Sequence, residues 1–366
     1  MHLAGFYLKL SFLPIAMCSA ESHAGAMTAT RVRDRNLLLA WAALAVVYVV
    51  WGSTYVAIRV GVRDIPPLGL AGARYLIAGA LLYPIAIRTG DAQMRAEDRL
   101  GRRQWLACGL VGMLLLALGN GGLTLGETTV PSGLAAMLVA TVPLWMILFA
   151  VPIQRHRVSR SALVGLLIGL VGVIVLAGGG STHGHTLGML IVLGASAAWG
   201  LGSVLGHRLH LPRRALLAAA LEMLIGGAVL TIAAAASGEF SHVQWGTIHA
   251  TSWLALAYLI VPGSILAFTA YGYSLAHLPL STVSTYAYIN PVVAVILGTT
   301  LLHEKLSLHE AIGAALIVGS VALTSHHRAA SSDKTQRSAT ASPSSRLAQA
   351  SDPPRAAQVF GSTSRD

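Results

Sequence analysis

Between Leu37 and Ser325 the chain passes through ten apolar stretches with only two formal charges well inside them, Arg74 and Glu222. The stretches are 37–58, 66–87, 104–125, 130–153, 161–179, 186–206, 215–236, 252–273, 279–301 and 309–325. A run of roughly 20 apolar residues is long enough to cross the hydrocarbon core of a bilayer as a helix. Charged residues make up 11% of the chain, against about 25% in a soluble domain. That is too few to cover a water-exposed surface, which excludes an ordinary soluble enzyme and a disordered chain. Lipid offers the backbone no hydrogen bonds, so each stretch must satisfy its own as a helix. The period-2 alternation of a membrane β-barrel is absent. The expected fold class is all-α integral membrane with ten transmembrane helices.

The stretches repeat at a constant offset of 148 residues. Trp51-Gly52 recurs as Trp199-Gly200, Leu76-Ile77 as Leu224-Ile225 and Gly79-Ala80 as Gly227-Ala228. Trp105-Leu106-Ala107 recurs as Trp253-Leu254-Ala255, Pro131 as Pro279, Pro143 as Pro291, and Gly165 as Gly313. Chance would supply matches of Leu and Ala, but not Trp and Pro in one register without a gap. Each copy holds five spans, an odd number, so the second enters the membrane from the opposite side. Inverted repeats of this kind belong to transporters, with a site near mid-membrane and two related end states. The domain plan is a 1–36 leader, repeat 1 over 37–180, repeat 2 over 185–325, and a disordered tail over 326–366 rich in Ser, Ala and Arg. The leader reads as dispensable, or as an over-long start with the true one at Met27.

Net charge is +11, but its placement argues for topology and against nucleic acid. Arg88, Arg95, Arg99, Arg102 and Arg103 lie in the 2–3 loop, Arg155, Arg157 and Arg160 in the 4–5 loop, and Arg208, Arg213 and Arg214 in the 6–7 loop. The opposite loops hold Arg59, Arg63 and Lys305. Short loops rich in Arg and Lys stay cytoplasmic, which places both termini there. Cys18 and Cys108 form no disulfide framework, and no metal-binding spacing occurs; Cys108 reads as a buried thiol.

Several segments carry a family resemblance. They are Trp51-Gly52-Ser53-Thr54-Tyr55, Leu118-Gly119-Asn120-Gly121, Val130-Pro131-Ser132-Gly133-Leu134-Ala135-Ala136, Ala140-Thr141-Val142-Pro143-Leu144, and Tyr286-Ala287-Tyr288-Ile289-Asn290-Pro291-Val292-Val293-Ala294-Val295. Over residues 37–325 the chain resembles the drug/metabolite transporter superfamily, in its EamA-type ten-helix group and the YedA-like inner-membrane exporters within it. The resemblance implies two inverted five-helix EamA repeats and export of small organic solutes across the bacterial inner membrane.

Candidate transport residues follow from chemistry and position. Arg74 and Glu222 are repeat equivalents, expected to straddle the midplane about 9 Å apart in depth. An unpaired charge there costs at least roughly 2.5–3.5 kcal/mol, which an Arg–Glu pair across the repeat axis would offset. Such a pair either gates or couples transport, or only fixes packing. Trp51 and Trp199, with Tyr48, Thr54, Tyr55 and Ser203 near them, either line a solute cavity or pack helices. Asn120 and Asn290 are buried amides. Pro143 and Pro291 each free a carbonyl one turn earlier, so a bent helix beside Tyr286, Tyr288 and Asn290 either lines a polar cavity or is a satisfied kink. Pro262-Gly263 marks another break. Gly178–His185 lacks the strand and Lys-Ser/Thr of a phosphate loop, so His183 and His185 read as loop residues. Glu127 and Glu304 are expected at water-accessible span ends, with Glu304-Lys305 bracing the 9–10 turn.

The expected activity is secondary transport by alternating access, with a small-molecule solute, the lipid bilayer and a coupling proton through Glu222 as partners. No metal or cofactor is called for. The rival readings are an uptake or exchange carrier of the same fold, a channel or scaffold, and a membrane-embedded enzyme. The last requires clustered His, Asp, Glu or Ser at one depth, which the spans lack. The oligomeric state is left open.

Overall fold

The computed structural model describes residues 23–88, 100–154, 160–178, 186–283 and 285–320. The leader before residue 23, His183, His185 and the tail after residue 320 lie outside these. The described residues form helices and turns without strands. In chain order these are α1 (His23–Gly61), α2 (Pro67–Ala86), α3 (Arg102–Gly126), α4 (Ser132–Val139 continued by Val142–Gln154) and α5 (Arg160–Gly178). They continue as α6 (Thr186–Gly206), α7 (Ala215–Ala236), α8 (Ala250–His277), α9 (Leu280–Val283 continued by Tyr286–Leu301) and α10 (Leu308–Ser320). Seven are long and apolar enough to cross a membrane, and the shorter apolar helices Leu163–Val175, Ile289–Leu301 and Leu308–Ser320 complete the expected ten. The first helix starts earlier than the apolar stretch, at His23 rather than residue 37.

The outer faces are apolar. Leu38, Leu187 and Leu308 are each more than 70% exposed, as suits faces turned to lipid tails.

Helix packing reproduces the sequence repeat contact by contact. The second helices of the two repeats, α2 and α7, lie antiparallel at the centre. A Cβ on Gly79 would stand 2.9 Å from the Leu224 nitrogen, and one on Gly227 would stand 2.5 Å from the Leu76 nitrogen. Gly79 and Gly227 are equivalents at 148, as are Leu76 and Leu224, so this pair of contacts maps onto itself. Farther out, α1 packs on α8 and α9, as α6 packs on α3 and α4. Gly52 lies against Val293 and Gly200 against Trp145, again equivalent pairs. Gly172 meets Ile317 and Gly169 meets Ser320, which joins α5 to α10 under the same operation. Small residues let backbones approach closely, and in lipid that packing is a principal attraction between helices.

Both third spans change to a wider π-helical winding at equivalent points. The segments are Met113–Asn120 in α3 and Val261–Leu266 in α8. A π-turn bonds each backbone N–H to the carbonyl five residues back, and two side chains bond a carbonyl at the same spacing. Asn120 Nδ2 donates to Leu115 O at 3.4 Å, and Ser264 Oγ donates to Leu259 O at 2.9 Å. Pro262 lacks an N–H and so favours the rewound segment in α8.

Charged side chains from remote loops close the helix ends. Glu239 accepts from the Leu68 and Gly69 amides at the start of α2. Asp64 accepts from the His249 amide and from Ser252 Oγ at the start of α8. Glu304 accepts from the Ser132 and Gly133 amides and Ser132 Oγ at the start of α4. Arg214 donates to Ala86 O and Ile87 O at the end of α2. Each sign matches the helix dipole it faces. Glu304 therefore holds α4 rather than only bracing its own turn.

Candidate functional site

The site is built where α1 packs on α8 and α9, with α2 packed on the same part of α8. Trp51 is ringed by Phe268, Tyr271 and Tyr286, with centroids 5.3, 5.2 and 5.3 Å away. Edge and tilted approaches dominate, which suits the quadrupoles of the rings. One turn further along α1, Thr54 donates to Trp51 O at 2.6 Å and turns its methyl toward Gly263. Its hydroxyl is therefore used within the helix. Ser53 meets the Tyr258 hydroxyl at 2.6 Å, and Tyr48 meets Thr285 Oγ1 at 2.5 Å. Tyr55 is buried, with Glu127 and Tyr286 in electrostatic reach. The Tyr288 side chain lies outside the described set.

Arg74 meets the same stretch of α8 as Thr54: a Cβ on Gly263 would stand 3.1 Å from Thr54 Cγ2 and 3.5 Å from Arg74 Nη2. Arg74 is 4% exposed. Its Nε donates to Ser264 Oγ at 3.0 Å and its Nη2 to Gly263 O at 3.4 Å, both on the π-segment of α8. Its guanidinium lies over the Tyr75 ring, 4.7 Å from the centroid. Among the described residues no carboxylate forms an ion pair with it.

The expected Arg74–Glu222 pair is not made. Gly72 faces Thr231, Leu76 faces Gly227, and Gly79 faces Leu224. This antiparallel register sets Arg74 opposite Val229 and Glu222 opposite Leu81, about 10 Å apart along the axis. Glu222 instead lies beside the α3 backbone, where a Cβ on Gly112 would stand 2.7 Å from its carbonyl oxygen. The offset in depth was legible in the repeat; the direction of each side chain was set by the neighbour it packs against.

The equivalent half of the molecule carries less polar chemistry. Trp199 lies against Gly119, and Ser203 donates to Trp199 O at 2.8 Å within α6. Asn120 is used by the π-turn of α3 and so is structural in this arrangement. Ser203 stands where repeat 1 has Tyr55, and Asn120 where repeat 2 has Phe268. One sequence repeat thus yields one aromatic and cationic cluster, not two.

The proline positions play different parts. Pro291 lies inside α9, whereas Pro143 sits in the first turn of the second piece of α4. The break in α4 falls at Ala140–Thr141, where Thr141 donates to Leu138 O at 2.6 Å. Beside Pro291, Asn290 is 6% exposed and its Oδ1 has no hydrogen-bond partner. The Trp145 indole nitrogen, in α4 against Gly200, is also buried without a partner. Trp145 was not singled out in the sequence because its equivalent is Val293, so the repeat gave no signal.

Glu127 departs most from expectation. It is 0% exposed rather than water-accessible, and neither carboxylate oxygen has a hydrogen-bond partner. The α3–α4 turn is short, and its backbone is folded under α1, with Arg59 donating to Glu127 O and to Thr128 O.

An inverted repeat of helices around buried polar groups is an arrangement that many membrane transporters share. Family comparison agrees: the EamA-like transporter family model matches residues 38–178 and again 186–326, and the chain belongs to that family. It is 41% identical over 293 residues to the uncharacterized inner membrane transporter YedA of Escherichia coli K12, covering 80% of this chain and 92% of that one. It is 28% identical over 282 residues to the uncharacterized transporter YvbV of Bacillus subtilis, covering 76% and 89%. It is 26% identical over 283 residues to a probable amino-acid metabolite efflux pump of Salmonella typhimurium, covering 74% and 90%. One solved crystal structure shares the fold at a TM-score of 0.53 and 20% identity, covering 79% of this chain and 97% of that one.

Proposed function

We propose that the chain exports small organic solutes bearing a carboxylate, amino-acid metabolites among them, across the bacterial inner membrane by alternating access. The observation that carries this reading is Arg74, a buried guanidinium with no ion-pair partner among the described residues beside the aromatic box of Trp51. A buried charge in a membrane is costly unless something compensates it. A solute carboxylate fits that role, with Trp51 and Tyr286 stacking on its organic part and Asn290 Oδ1 accepting from a donor such as an ammonium group. Direction and solute class draw support from the efflux name of the Salmonella relative. The inner-membrane location draws support from the name of the Escherichia coli relative. The loop arginines favour cytoplasmic termini, so that the α1–α2 and α3–α4 turns face outward.

The test is uptake of a panel of labelled amino acids and organic acids into inverted vesicles, with the corresponding amides as controls. The expected result is saturable accumulation of carboxylates over amides, lost at least tenfold in Arg74→Ala and partly kept in Arg74→Lys. Equal transport of acids and amides, or full activity in Arg74→Ala, removes the carboxylate reading. Accumulation only in right-side-out vesicles makes the protein an uptake carrier.

A further inference from the structure

We propose that Glu127 is a proton-binding site that latches the end of the bundle where α3 turns into α4. The proposal deepens the transporter reading only in supplying that reading with a gate; the site itself rests on the geometry of the turn. Glu127 is fully buried at the C-terminal end of α3, and both of its carboxylate oxygens are without hydrogen-bond partners. An ionised carboxylate so placed would carry a full charge with no donor to satisfy it. A carboxylic acid is neutral and tolerates the site.

The groups facing it come from each neighbouring element. Tyr55 and Arg59, one turn apart on α1, Glu304 in the α9–α10 turn and Arg74 on α2 all lie in electrostatic reach of it. From α6 the turn meets Gly188 and Val192, which bring no charge. Arg59 is the natural counter-ion, but its hydrogen bonds go to Glu127 O and Thr128 O. Glu304 is likewise committed to the Ser132 and Gly133 amides. Burial therefore drives the Glu127 carboxyl well above the usual carboxylate range; Arg59 opposes this, Glu304 adds to it, and Arg74 opposes it more weakly.

The latch follows from these commitments. When the acid O–H releases its proton to water, the new carboxylate needs Arg59 or solvent. Arg59 holds those carbonyls through Nη1 alone, so a swing of its guanidinium toward the carboxylate pulls on the carbonyls that it caps at the end of α3. Water can reach it only if the Glu127–Pro131 turn lifts from α1 and α6. Either route loosens the segment that leads into α4, whose amides Glu304 holds. Protonation restores the neutral, buried state and closes that end.

The sign of the pH effect is fixed. A carboxyl raised in the folded state binds more protons there than in the unfolded chain, so its contribution falls as pH rises from the unfolded value toward the folded one. Full-length protein in lipid nanodiscs serves for the test, with infrared spectra recorded at neutral pH. The expected spectrum contains a protonated-carboxyl carbonyl stretch that is missing in Glu127→Gln and kept in Glu222→Gln. Gln is shaped like the neutral acid, so Glu127→Gln folds and loses part of the decline in stability with rising pH. In a Cys18→Ser, Cys108→Ser background, buried Val130→Cys reacts with a membrane-impermeant maleimide several-fold faster as pH rises. Adding Glu127→Gln removes that excess. An unchanged infrared spectrum in Glu127→Gln, its failure to fold, or labelling that climbs equally in both backgrounds overturns the proposal. None of these readouts uses a solute, so failure to find transport leaves the test of Glu127 intact.

Discussion

Replacing Gly227 by Ala places a methyl carbon 2.5 Å from the Leu76 nitrogen and 3.0 Å from the Tyr75 carbonyl carbon. Both are backbone atoms, so no side-chain rotation can make room. Ordinary contact begins near 3.4 Å, so α7 must retreat from α2 by about 1 Å, enough to forfeit a quarter to a half of each dispersion contact along the seam. Overpacking of this kind costs about 1–3 kcal/mol. The substitution also gains helix propensity, up to about 1 kcal/mol. Gly194→Ala separates the two effects, because a Cβ on Gly194 meets nothing within 4 Å. The propensity gain is shared, so Gly227→Ala should be less stable than Gly194→Ala by about 1–3 kcal/mol. Gly79→Ala, the repeat equivalent, should follow with a smaller loss, since its nearest backbone atom is 2.9 Å away. The assay is equilibrium unfolding of purified protein in mixed micelles as the denaturing detergent fraction rises. Coincident curves for Gly227→Ala and Gly194→Ala would refute the close packing of α2 on α7.

Two further outcomes concern the helix ends, beside those attached to Arg74 and Glu127 above. Asp64 sits outside the membrane, and Ser252 Oγ, with the His249 amide and ring, holds its carboxyl below the ordinary value of 3.8. A depressed carboxyl lends stability that is present above its unfolded pKa and lost as pH falls through the folded one. Asp64→Asn should therefore lower stability at neutral pH and flatten its acid limb below about pH 4, read by thermal unfolding against pH. Glu304→Ala removes three hydrogen bonds at the start of α4 and should cost about 1–3 kcal/mol in the same unfolding assay, with Lys305→Ala close to neutral.

Much of the architecture was legible along the chain. Lipid imposes a single rule on every span, so the apolar lengths located the ten helices to within a few residues. The start of α1 differed, because a helix can continue past the hydrocarbon into water and hydropathy marks only the apolar part. The 148-residue offset meant that helix contacts would recur in equivalent pairs, but it did not say which helices would make them. Trp51 and Arg74 were visible as an indole and a charge where lipid would dissolve neither well. Thr54, Ser203 and Asn120 were visible as polar groups, but their use inside their own helices was not. Spacing gives a residue its depth and face, and not the partner that takes its hydrogen bond.

The sequence by itself determined the helix count, the inverted repeat and the axial offset between Arg74 and Glu222, because these follow from hydropathy and from residue spacing along a helix. Only the tertiary structure decided that Arg74 binds the π-segment of α8 instead of Glu222, and that Glu127 is sealed under α1. Both depend on the antiparallel register of α2 on α7 and on how the α3–α4 turn folds back. A shift of one residue in that register rotates a side chain by about 100° around its helix. The partners of a buried charge are therefore fixed by close packing between elements distant in sequence.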